Sequence, residues 1–201
     1  MSDTPTAGPS TKPGLFQRYH FLLRRLHSLS GILPVGVFVI MHLLTNSQMI
    51  WGQATGEHGG SVFQHEVDFI HSLPALEIIE ITLWLSIGFH AVLGLYYTFT
   101  GKRNVKHYAY KDNWRYTLQR ITGMIAIFFI FLHIATLRWR WDMFGWFTPF
   151  YAHGIAMENG TLGEDVPMSL PYTAYALQFS WLVVAFYFVG VMSVVYHWAN
   201  G

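Results

Sequence analysis

Four apolar stretches, each long enough to cross a bilayer and each carrying one histidine, constrain this chain more than any other feature. They run roughly over 26–49, 76–99, 121–137 and 172–198. A spanning helix needs about 20 mostly apolar residues. Within hydrocarbon, only a helix or a closed barrel satisfies the backbone's own polar groups. The fold class is therefore read as all-α, a transmembrane helical bundle with four spanning helices. Pro34 lies inside the first stretch, where a membrane helix tolerates it as a kink. Composition agrees, with 11% of residues charged against about 25% in an ordinary soluble domain.

The 201 residues suit one domain. Residues 1–14, rich in Ser, Thr, Pro and Gly, read as a disordered tail and not as a cleaved signal peptide. Residues 15–201 form the membrane domain, whose first span does its own targeting. The segment over 139–151 is aromatic but holds Arg140 and Asp142, and it reads as an interfacial stretch and not as a further span. A net charge of +1, with no basic block outside the membrane flanks, gives no reason to expect nucleic acid. The chain has no cysteine, which excludes disulfides, iron–sulfur ligation and covalent haem attachment within it.

Basic residues set the expected orientation. Lys12, Arg18, Arg24 and Arg25 precede the first span, and Lys102, Arg103, Lys106, Lys111, Arg115 and Arg120 lie around the link between the second and third. The positive-inside rule assigns that side to the cytoplasm, with the N-terminus inside and the fourth span also ending there. Most of the acids fall in the other two loops: Glu57, Glu66, Asp68, Asp142, Glu158, Glu164 and Asp165. A carboxylate such as Glu66, Asp68 or Glu77 could exchange protons with a quinone on that side. The preferred reading is an ordinary acidic loop.

The intramembrane histidines carry the chemistry. They are His42, His90, His133 and His197, in the contexts IMHLL, GFHAV, FLHIA and VYHWA. An ionisable group in the bilayer is costly and faces the bundle interior. One such histidine reads equally well as an interhelical hydrogen bond; four, one per helix, do not. A helix rises about 1.5 Å per residue, which puts His42 roughly 6 Å and His133 roughly 8 Å from the outer polar flank, and His90 roughly 20 Å from it. His197 lies at the inner end of the fourth span. Depth thus groups His42 with His133, and His90 less tightly with His197.

Two imidazoles at one depth on different helices suit a metal sandwiched between them. A haem held so has no open iron position, which favours electron transfer. Zinc, which wants about four clustered ligands, fits two depths poorly. His27, in the basic flank, leaves two roles open: a hydrogen bond, with Ser28, to a haem propionate, or an ordinary interface histidine. Arg24, Arg25, Arg138 and Arg140 read first as snorkelling flank residues, with propionate pairing as the alternative. Gly31, Gly36, Gly88, Gly94, Gly123 and Gly190 would admit either a neighbouring helix or a flat macrocycle. His58, His65, His71, His107 and His153 read as solvated loop residues.

The stretches RRLHSLSGILPVGVFVIMHLL, SLPALEI, FHAVLGLYYTFTGKRN, NWRYTLQRITG and HWANG resemble the cytochrome b subunit of succinate dehydrogenase and fumarate reductase. The likeness covers roughly 19–201 and is to the type in which one polypeptide carries two haems. It implies that His42 and His133 hold the iron of a distal haem b and His90 and His197 that of a proximal one. His27, Ser28 and Tyr116 would surround the proximal haem. It also implies a flavoprotein subunit and an iron–sulfur subunit as partners, and residence in the cell's inner (cytoplasmic) membrane. Electrons would pass between the iron–sulfur subunit and a quinone, commonly menaquinone, near the distal haem. A fifth span is implied as well; this sequence reaches HWANG, where the loop to it would begin. A cytochrome b anchor of a hydrogenase or formate dehydrogenase, and a haem-free membrane scaffold, are the competing readings.

Overall fold

The computed structural model describes residues 14–54, 59–102, 105–139 and 181–201. The tail over 1–13, the aromatic stretch beyond Trp139 and the start of the fourth apolar run lie outside these. Among the described residues, four helical stretches are long and apolar enough to cross a membrane: His20–Ile50, Leu76–Thr100, Lys111–Leu137 and Trp181–Asn200. The described helices in chain order are α1 (Leu15–Arg18), α2 (His20–Ser30), a π-helical turn (Gly31–Gly36), α3 (Val37–Ala54), α4 (Gly59–Ser72), α5 (Leu76–Thr100), α6 (Lys111–Leu137) and α7 (Trp181–Asn200).

The first span is one continuous rod with a wide turn in it. Pro34 has no N–H to give and its ring crowds the carbonyl one turn back. Widening the turn over Gly31–Gly36 to a π-helix accommodates that ring without ending the helix. The third span begins at Lys111, ten residues ahead of the apolar run, because KDNWRYTLQR continues the helix beyond the hydrocarbon. Hydropathy marks where the solvent changes, not where the backbone stops being helical. Arg120, inside that extension, is buried. It donates to the carbonyls of Tyr97 (3.0 Å) and Gly101 (3.2 Å), closing the C-terminus of α5 where a cation suits the helix dipole.

The link between the first two spans is itself helical, which the reading of His65 and His71 as loop residues did not include. In α4, Val62, Phe63, Val67 and Ile70 recur at helical spacing, and Phe63 is buried where α4 folds back on α3. His65 and His71 are exposed all the same, as is His107 on the opposite side. α5 then starts from Ala75, which holds a left-handed φ of 62° and accepts from the amides of Ile78 and Ile79.

α6 lies along α7, and α2 with the π turn lies along α5. The core is thin: Leu93, Ala126, Phe129, Ala135 and Val183 are buried, whereas Phe99, Phe128 and Trp181 are largely exposed. An apolar exterior is expected where lipid is the solvent, since helices then associate by close packing and not by expelling water.

Candidate functional site

The bundle brings the four intramembrane histidines together as two pairs at two levels. His42 on α3 faces His133 on α6, with ring centroids 5.8 Å apart and planes at 79°. His90 on α5 faces His197 on α7 at 6.0 Å and 88°. These are the pairings that helix rise suggests, including the inner one, which the sequence left loose. Among the described residues, no group of three or more His, Asp or Glu converges as a metal site.

The inner rings have defined protonation. His90 Nδ1 meets the backbone carbonyl of His27 at 2.8 Å, and His197 Nδ1 meets that of Gln119 at 2.9 Å. A carbonyl can only accept, so each Nδ1 carries a proton, and in the neutral ring each Nε2 keeps its lone pair. Gln119 also returns a hydrogen bond, its Nε2 donating to the His197 carbonyl at 2.9 Å. Asn200 donates to Gln119 Oε1 (2.9 Å) and accepts from Arg115 Nε (2.8 Å), which ties the end of α7 to α6.

His27 stands in the inner cluster, stacked on His90 with centroids 3.9 Å apart and planes at 13°. Its Nδ1 and the nearby Tyr97 hydroxyl are buried with no hydrogen-bond partner; the two rings meet edge to face at 5.7 Å. Ser28 is exposed beside it. It is Ser30, which the sequence reading passed over, that turns inward and donates to the His27 carbonyl at 2.9 Å. Tyr116 is exposed and hydrogen-bonds Arg120, whose guanidinium carbon lies 4.2 Å from the Tyr116 ring centre. Arg24 lies over Tyr97 and Arg25 over Phe21. Arg138 pairs with Glu80 at 3.1 Å, and Arg140 is outside the described residues.

The outer pair is held by side chains. His133 Nδ1 is 3.2 Å from the Tyr187 hydroxyl, and its ring stacks on Phe129. His42 stacks on Phe38. The Thr136 hydroxyl, one turn past His133, is buried without a partner.

These residues fit a haem at each level. An imidazole nitrogen lies about 2 Å from a metal it binds. Two rings across one iron therefore have centroids about 6 Å apart, which matches both pairs. Metal-bound histidines usually donate their second N–H to a carbonyl or similar acceptor, as the inner rings do. The orphaned polar atoms of His27, Tyr97 and Thr136 lie beside the pairs, where a buried group normally has a partner.

No family model matches the chain, and no solved structure matches it. Over 182 residues it is 34% identical to the succinate dehydrogenase cytochrome b558 subunit of Bacillus subtilis (strain 168), covering 90% of this chain and 76% of that protein. With the apolar helices, that likeness makes this a multi-pass membrane protein that belongs to the succinate dehydrogenase cytochrome b family.

Proposed function

We propose that this chain is the membrane anchor of a succinate:quinone oxidoreductase, working as succinate dehydrogenase or quinol:fumarate reductase, and that it holds two b haems. His42 and His133 would hold one near the acidic, outer side. His90 and His197 would hold the other near the basic, cytoplasmic side. Held there by these four histidines, haem would supply one-electron transfer between a cytoplasmic iron–sulfur subunit and a quinone.

The observation that carries this reading is the pair of facing imidazoles at each of two levels, 5.8 and 6.0 Å apart. The chain's own residues orient the rings. Backbone carbonyls hold the protons of His90 and His197 on Nδ1. His27 belongs to the surroundings of the inner haem, where its free Nδ1 suits a propionate. Tyr116 is linked to that region through Arg120 and the Tyr97 carbonyl; Ser28 lies at its edge. The quinone, menaquinone by family habit, would be met near the outer haem. The flavoprotein and iron–sulfur subunits would sit on the basic cytoplasmic face of the inner membrane, where the N-terminus also lies.

A redox titration of the purified complex, followed in the visible spectrum, tests this. Two b haems per chain that titrate separately are expected, together with a flavoprotein and an iron–sulfur subunit in the preparation. Co-purification with a hydrogenase would favour the competing anchor. A haem-free assembled complex would sink the proposal.

A further inference from the structure

Two short segments on different helices handle the inner histidines in the same way. In HSLSG, the carbonyl of His27 accepts from His90 Nδ1 at 2.8 Å and from Ser30 Oγ at 2.9 Å. A Cβ added to Gly31 would lie 2.6 Å from Cε1 and 2.9 Å from Nδ1 of His90. In QRITG, the carbonyl of Gln119 accepts from His197 Nδ1 at 2.9 Å and from Thr122 Oγ1 at 3.3 Å. A Cβ added to Gly123 would lie 2.8 Å from Cε1 and 3.0 Å from Nδ1 of His197. The pattern is a carbonyl, a hydroxyl residue three places on and a glycine four places on.

The spacing has a physical reason. A helix carbonyl points towards the residue four places later, so a side chain arriving from another helix must pass over that residue to reach it. Any Cβ there would stand in the ring's path. Glycine removes it and lets the imidazole lie on the backbone. The carbonyl has two lone pairs, so it can serve its own helix and an outside donor. The hydroxyl three places on competes for the same oxygen and so weakens the bond to the ring.

We infer that Ser30–Gly31 and Thr122–Gly123 are two copies of one positioning device that orients the inner histidines and tunes how electron-rich they are. This rests on the two-haem reading. The glycines permit the Nδ1–H···O bond; the bond makes the ligand more basic, which favours ferric iron. The hydroxyls hold that effect back. Ser30 shows the stronger competition, because Thr122 also donates to the Leu118 carbonyl at 2.8 Å, its shorter bond. Nothing of this kind surrounds His42 or His133 among the described residues.

The test uses the assembled complex in native membranes, titrated with spectra for each haem. Ser30→Ala should lower the midpoint potential of the inner haem alone, by about threefold in its reduction equilibrium or on the order of 30 mV. Thr122→Val should move it less in the same direction, and Thr122→Ser should restore the original value. Gly31→Ala and Gly123→Ala should each lose the inner haem's spectrum while the outer haem's remains. Two haems in the wild type with an unmoved inner potential in Ser30→Ala, or equal movement of both haems, would overturn this inference and leave the anchor reading intact. A wild-type complex without two haems would overturn both.

Discussion

The inner and outer histidine pairs have nearly the same ring separation, yet they are held by different parts of the protein. At the inner level both rings are tied to main-chain carbonyls, those of His27 and Gln119. At the outer level one ring meets a phenol, Tyr187, at 3.2 Å, and both rest on phenylalanines, Phe129 and Phe38. A carbonyl acceptor cannot be removed by exchanging the side chain that bears it. A phenol can. The comparison suggests an inner site whose geometry is robust to most substitutions, with the glycines as its weak points, and an outer site whose properties can be adjusted one side chain at a time.

The largest effect that would break this comparison is loss of a ligand. His197→Ala and His133→Ala should each leave one b haem per assembled complex, the inner missing in the first and the outer in the second. Pyridine haemochrome counts with separate spectra would check it; loss of both haems from either variant would show that the levels are not independent. A smaller effect distinguishes backbone from side chain at the inner site. Gln119→Ala removes the bonds to the His197 carbonyl and to Asn200 but keeps the carbonyl that holds His197 Nδ1. Both haems should remain, with stability lowered by about 1–2 kcal/mol for two partly buried hydrogen bonds. The inner band should then disappear at a lower temperature on heating. Outright loss of that haem at ambient temperature would mean that the amide, and not the carbonyl, orients the ring.

The smallest effect belongs to the outer site. If His133 held iron through Nε2, as proposed, its Nδ1–H would donate to the Tyr187 oxygen and make the ligand slightly more basic. Tyr187→Phe should therefore raise the outer haem's potential. For a bond as long as 3.2 Å, a contribution of about 0.5 kcal/mol corresponds to roughly 20 mV. The inner potential should stay in place, and a downward outer shift would show that the phenol is not the acceptor.

How far the sequence reaches can be seen residue by residue. Hydropathy located the four spans found among the described residues, because the bilayer is a solvent whose thickness any apolar run must match. It missed the polar first turns of α6 and the whole of α4, because a helix needs no apolar composition once it leaves hydrocarbon or rests on a neighbour. Helix rise sorted His42 with His133 and His90 with His197, since depth is linear in residue number. His27 was noticed for its position; Ser28 is exposed, while Ser30, two residues and so about 200° further round the helix, is the hydroxyl that reaches the His27 carbonyl.

The sequence alone therefore determined the four described spans, the side that carries the positive charge and the four costly histidines. Each of these depends on composition along a line. Only the tertiary structure decided which atoms hold the rings. The acceptors of the inner pair are main-chain carbonyls, and since every residue has one, no residue type marks them. Gly31 and Gly123 were visible as small residues, but a glycine that admits an imidazole reads no differently from one that admits a helix. The distinction exists only once α5 is laid against the π turn and α7 against α6.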